Sequence, residues 1–178
     1  IADNFLDLSF DRNLNPRDAF GSHSDADHVY NTPRAWYMQR VLNPCSTDFT
    51  PTSDDLPWCR HPERKITIED IKYVLSSHYQ GTPYDPYAGT DERARLFRPI
   101  GINRHSQLSI LQVRPYKPES SRSVQWIAYA SNPFNTLIPL YTNVEKMPDY
   151  VSDTTERVTT ENFYWASRIL AALADAQF

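Results

Sequence analysis

Apolar and polar positions alternate most densely between Arg98 and Asn143. In the run LSILQV, Leu108, Ile110 and Gln112 fall on one side of an extended chain, and Ser109, Leu111 and Val113 fall on the other. Both sides are largely apolar, which predicts a strand covered on both faces. A polar, proline-bearing connection from Pro115 to Ser123 leads into SVQWIAYA. There Val124, Trp126, Ala128 and Ala130 share one face, and Gln125, Ile127 and Tyr129 share the other. SNPFNT turns the chain, and LIPLYTN leaves as a third strand. Pro139 has no N–H to give a ladder, so this strand is an edge or carries a bulge there.

Helical spacing appears in three places. Thr32-Pro33 opens the first, with Thr32 as the cap, and Leu42-Asn43-Pro44 stops it. Thr67 with Asp70 three residues later opens the second, whose apolar stripe is Ile68, Ile71, Val74 and Leu75. It is expected to run to about His78, with Gly81 as its cap. Thr159 or Thr160 caps the last, where Phe163, Ala166, Ile169, Leu170 and Leu173 recur down to Phe178. The fold class expected is α+β, an antiparallel sheet flanked by helices. Between these elements, Gly21 to Asn31, Cys45 to Glu63 and Glu145 to Asp153 read as polar loops or linker, and Asp91 to Phe97 reads as a helical turn or exposed loop. The alternation of Phe5, Leu6, Leu8 and Phe10 fits a short strand or a helical turn equally.

Composition narrows the function classes. At 178 residues the chain is one domain or part of one. Its formal charge of −4 shows no basic excess, so nucleic acid is not expected as a partner. It has no apolar run long enough for a bilayer and no basic leader before an apolar stretch, so no membrane partner and a cytoplasmic location are expected. Fourteen prolines against four glycines mean rigid turns, and suggest a framework that wraps another part of a larger molecule. A start at Ile1 and a last helix without a Gly or Pro stop point the same way. Cys45 and Cys59 make no disulfide framework and are expected reduced. His23 and His28 with Asp25 and Asp27 lack any spacing that fixes a metal geometry, so neither a metal nor another cofactor is expected.

No self-sufficient catalytic set is visible: there is no GxSxG and no glycine-rich phosphate loop. Candidate chemistry gathers at strand ends. Arg104, just ahead of the first strand, can hold a carboxylate bidentately, depress the pKa of a nearby thiol or amine, or simply make an ion pair. Asn132 and Asn135 bracket a turn, where side-chain amides donate to an oxyanion or carboxylate, or form Asx-turns. His78 to Tyr87, with Tyr79, Tyr84, Asp85 and Tyr87, reads as a rigid aromatic turn or as the wall of a small-molecule pocket.

Four blocks resemble the C69 family of dipeptidases: NTPRAWYMQRVLNP (31–44), HYQGTPYDPY (78–87), RPIGINR (98–104) and SNPFNTLIPLYTN (131–143). They occur in that family's order. The resemblance implies a layered α/β/β/α N-terminal-nucleophile hydrolase fold and metal-free hydrolysis of dipeptides. It implies a nucleophilic N-terminal Cys whose α-amino group is the base; no Cys stands near Ile1, so the thiol would belong to a remaining, N-terminal part of a longer enzyme. Arg104 would then support the thiol. Asn132, Asn135, Tyr84 and His78 would shape the dipeptide pocket, a homo-oligomer would be possible, and the isolated chain would be inactive. The alternative is a non-catalytic peptide-binding or assembly domain whose aromatic loops form an interface. A third reading, an enzyme using Cys45 or Cys59, is weaker, because both lie in a proline-rich loop with only His61 nearby.

Overall fold

The structure, a computed structural model, describes residues 21–22, 24–46, 48–88 and 91–177. The expectation for Phe5 to Phe10 lies outside them, as do His23 and Phe178. Two compact units emerge: Ile1–Lys65 with Leu96–Arg98, and Ile66–Arg95 with Pro99–Phe178.

The first unit is helical with a long ordered loop. Asp27–Tyr30 form a single turn, α1, where a loop was expected. The chain passes through Asn31 in right-handed conformation straight into α2, Thr32–Leu42. The cap position is therefore Asn31 rather than Thr32, and no side chain caps it, because α1 already supplies a helical approach. Thr32 is instead buried with Pro33, Trp36 and Tyr37. The 45–63 loop is pinned by α2: Trp36 Nε1 donates to the Phe49 carbonyl at 2.7 Å and Gln39 Nε2 to the Pro57 carbonyl at 2.7 Å. His28, considered above for a metal, lies 2.9 Å from Asp54. Among the described residues no three His, Cys, Asp or Glu side chains come together around a point.

The second unit holds the sheet. β1 (Gln107–Val113), β2 (Ser123–Tyr129) and β3 (Ile138–Tyr141) form an antiparallel sheet in that order. β2 is central. Its register sets Leu108 opposite Ala128, Ile110 opposite Trp126, and Trp126 opposite Pro139. β3 pairs on one side through an unbroken register, so Pro139 sits in an outer strand without a bulge. Leu108, Ile110 and Ala128 form the buried centre. Helix α3 (Ile68–Leu75) lays Ile68, Ile71 and Leu75 on it. On the opposite face Tyr129 meets Phe163 and Tyr164 at ring separations of 5.6 and 5.5 Å. The arrangement is α+β, with helices against the sheet and no closed barrel among the described residues.

Between β1 and β2 lies the one-turn helix α4 (Glu119–Arg122), and the 145–153 linker contains another, α5 (Asp149–Ser152). A 3₁₀ turn spans Glu92–Arg95 and a second spans Asn132–Phe134. The last helix, α6 (Phe163–Asp175), starts at Asn162, whose side-chain oxygen accepts from Trp165 N at 2.9 Å. Asn162 thus takes the role expected of Thr159 or Thr160. Its buried residues are Phe163, Ser167 and Ala171, one turn apart, while Leu170 and Leu173 are exposed. β1 also departs from expectation: Leu108 and Ile110 are buried, but Leu111 is 78% and Val113 68% exposed. Only one face of that strand is packed, because α3 covers one side alone.

Candidate functional site

The site grows from α3 and the turn after β2. Thr67 and Asp70 form a reciprocal capping box: Asp70 N donates to Thr67 Oγ1 at 3.2 Å, and Thr67 N to Asp70 Oδ2 at 2.8 Å. This fixes where the helix begins and hence which face meets the sheet. Lys72 lies one turn after Ile68 and three residues before Leu75, so the sheet-facing stripe carries an amine at its margin. The helix ends at Leu75, short of His78. Ser77 Oγ donates back to the Val74 carbonyl at 2.6 Å, and Gly101 N donates to the Ser77 carbonyl at 2.8 Å. Gly81, at φ +75°, belongs to the following turn and does not cap the helix.

The facing wall is built by the end of β2. Ala130 adopts φ +66°, which ends the extended chain and lets Ser131 to Phe134 fold back. Asn135 Nδ2 donates to the Ala130 carbonyl at 3.0 Å. Asn132 Nδ2 donates to the Leu75 carbonyl at 3.1 Å, satisfying one of the acceptors a helix end leaves open. Lys72 Nζ donates to Ser76 Oγ at 2.8 Å and to the Asn132 carbonyl, which also accepts from Ser76 Oγ at 3.1 Å. Helix and turn are thus tied by both backbone and side chain.

Between them opens a pocket of ≈ 590 Å³. Lys72, Ser76, His78, Trp126, Asn135 and Leu137 are among its lining residues, as are the exposed Glu69 and Tyr73. The volume suits a ligand of a few residues or less. Among the described residues, Lys72 is its only lysine or arginine. Burial lowers the Lys72 pKa to about 8. No carboxylate of the described residues pairs with it. The Asn135 side-chain oxygen is buried and finds no hydrogen-bond partner among the described residues.

His78 is held from behind. Its Nδ1 lies 2.7 Å from Asp85 Oδ1, which also accepts from Tyr87 N at 2.9 Å. The Tyr87 ring meets the His78 ring edge-on at 4.9 Å. Burial, then the charges of Asp175 and Asp85, raise the Tyr87 pKa. Tyr79, fully buried at φ +67°, anchors the start of the loop.

The sequence candidates therefore divide. His78 and Asn135 line the pocket. Asn132 stands behind the lining and secures Lys72. Tyr84 is half-buried in the same loop as His78 but outside the lining. Arg104 is exposed and does not line it. Sequence reasoning passed over Lys72 and Ser76. The available signal was a lysine set among Ile68, Ile71 and Leu75, which more often marks an amine reaching out along an apolar surface. Cys45 and Cys59 are exposed and free, and neither lines the pocket. The Glu63 carboxylate beside Cys45 raises its thiol pKa, the opposite of what activates a nucleophile.

This geometry can hold a small anion with an adjoining N–H, and it offers no nucleophilic thiol. Comparison with known proteins gives it a context. The family model described as peptidase family C69 matches residues 1–178. A dipeptidase of Bifidobacterium longum is 64% identical over the whole chain, which covers 36% of that protein. A probable dipeptidase A of Streptococcus pyogenes is 56% identical over 97% of the chain and 37% of its own length. A probable dipeptidase B of Lactococcus lactis is 43% identical over 95% and 36%. The chain spans little more than a third of these curated relatives. A match that runs the full length of the sequence, through both units and every residue of the pocket, assigns the chain to peptidase family C69.

Proposed function

We propose that these residues form part of a cysteine-type dipeptidase of broad specificity, as one incomplete domain of a layered α/β/β/α N-terminal-nucleophile hydrolase. The observation that carries this is the conjunction of the family match with a pocket of dipeptide size. The nucleophile is the thiol of an N-terminal Cys outside this chain, and its own α-amino group accepts the thiol proton. The thiolate adds to the peptide carbonyl. The leaving amine departs with that proton, and water hydrolyses the thioester to regenerate thiol and free carboxylate. No metal is required by this chemistry. The remaining part of the enzyme is the partner that supplies the thiol. Assembly into a homo-oligomer and a cytoplasmic location complete the reading, with neither nucleic acid nor membrane as a partner.

Two measurements test it. A polypeptide joining these residues to a processed N-terminal Cys releases amino acids from a dipeptide panel and loses that activity on alkylation, whereas the 178-residue chain alone releases none. Turnover by the isolated chain, or turnover indifferent to alkylation, overturns the reading. Arg104 is assigned the electrostatic support of the thiol. Arg104→Ala in the longer polypeptide then moves the acidic limb of the kcat/KM profile to higher pH. An unmoved limb removes Arg104 from the mechanism.

A further inference from the structure

We infer that the Lys72 pocket is the carboxylate end of a substrate site: the Lys72 ammonium takes the α-carboxylate of an acylated amino acid, the C-terminal half of a dipeptide. The inference deepens the proposed function and rests on it for the name of the substrate, though not for the chemistry of binding.

An ammonium group has three N–H donors. Ser76 Oγ and the Asn132 carbonyl take two, and no carboxylate of the described residues takes the third. A cation half withdrawn from water without a counter-ion is costly, and its pKa of about 8 records that cost. A bound carboxylate would offset it. The second group is the Asn135 oxygen, a buried acceptor with no donor among the described residues. An amide N–H next to a carboxylate is the donor it lacks, and an N-acylated amino acid carries both. Trp126 and Leu137 offer apolar surface to that residue's side chain.

The charge balance argues against a polyanion. Among the described residues the pocket has one lysine and no arginine, and Glu69 also lines it. A single cation beside a carboxylate suits a monoanion better than a phosphate dianion. The other titratable groups of the lining are Glu69, Tyr73 and His78.

The test is binding, read without turnover. The 178-residue chain is titrated with N-acetylglycine and, separately, with N-acetylglycinamide, following the Lys72 side-chain and Trp126 indole signals by NMR. The carboxylate probe is expected to shift both signals and to bind at least about tenfold tighter than the amide. That preference disappears in Lys72→Met, survives in Lys72→Arg, and in the parent weakens as pH rises through about 8. Equal binding of the two probes, silence at Lys72, an undiminished preference in Lys72→Met, or displacement by inorganic phosphate at equal concentration overturns the inference. Failure of the dipeptidase reading would show elsewhere, as absence of hydrolysis by the longer polypeptide, and leaves this comparison readable.

Discussion

Gly101 lies so close to Ser76 that a Cβ at residue 101 would stand 2.3 Å from the Ser76 carbonyl oxygen. The neighbour is backbone and has no rotamer by which to withdraw. Gly101→Ala must therefore move either the segment leading to β1 or the end of α3, and overpacking of this kind costs about 3 kcal/mol. Because Ser76 Oγ receives a hydrogen bond from Lys72, the damage reaches the pocket as well. Urea unfolding should show the loss of stability. Titration with N-acetylglycine should show weaker binding even at temperatures where the variant is folded.

Asp85 is the buried pivot of the aromatic loop. It receives the His78 ring and the Tyr87 amide on one oxygen. Asp85→Ala removes this shared acceptor and should destabilise the protein by about 2 kcal/mol. The His78 ring, which lines the pocket, loses its anchor at the same time. NMR should therefore find the His78 and Tyr87 side-chain signals both displaced. A variant with parent stability and an unmoved His78 would contradict the role given to Asp85.

The lowered pKa of Lys72 has a definite sign in stability. The unfolded chain holds that proton up to about 10.5 and the folded chain only up to about 8. Between these values the unfolded state binds more protons, so stability rises with pH there. The penalty of the buried charge is fully present below about 8 and relieved above about 10.5. Solvent reaches the amine, which moderates the effect. The measured quantity is the difference in unfolding free energy between Lys72→Met and the parent at two pH values. The variant's stability relative to the parent should be higher at pH 7 than at pH 10, about neutral and near the unfolded pKa respectively. A difference that does not change would show that Lys72 titrates normally, and one that changes in the other direction would show its folded pKa raised; either contradicts the prediction.

Ala130 is fully buried and left-handed. That conformation costs an L-residue about 1 kcal/mol, which Gly avoids, but Ala130→Gly also gives up a buried methyl worth about 0.8 kcal/mol. The two nearly cancel, so Ala130→Gly should unfold close to the parent. Ala130→Val adds branching where φ is positive and volume where none is free, and should lose about 3 kcal/mol. Thermal unfolding of the pair separates backbone strain from simple packing. Equal losses in both would mean that the methyl matters and the conformation does not.

What was legible in the sequence was whatever repeats at short period or uses dedicated residues. The two-residue alternation of Leu108 and Ile110, and of Val124 to Ala130, gave the strands and the buried face of β2. Pro139 declared an edge or a bulge, and Thr67 with Asp70 declared a helix start. The outer face of β1 was not legible, because Leu111 and Val113 look the same whether covered or bare. Leu170 and Leu173 misled for the same reason: α6 buries its small Ser167 and Ala171 instead, which bring its backbone near the sheet. A single turn such as α1 has no room for a period at all. In the site, His78 and Asn135 were visible as polar groups in short, proline-fixed turns. Lys72 was not, since its distinction is the lack of a carboxylate partner among the described residues, a property of three dimensions.

The tie between α3 and the Asn132 turn makes one mechanical piece of two segments sixty residues apart in sequence. Neither can drift without carrying the other, so the cation keeps its depth while the rest of the surface varies. Across relatives, the identities at Lys72, Ser76 and Asn132 should accordingly be inherited as a set, and exchanged together or not at all.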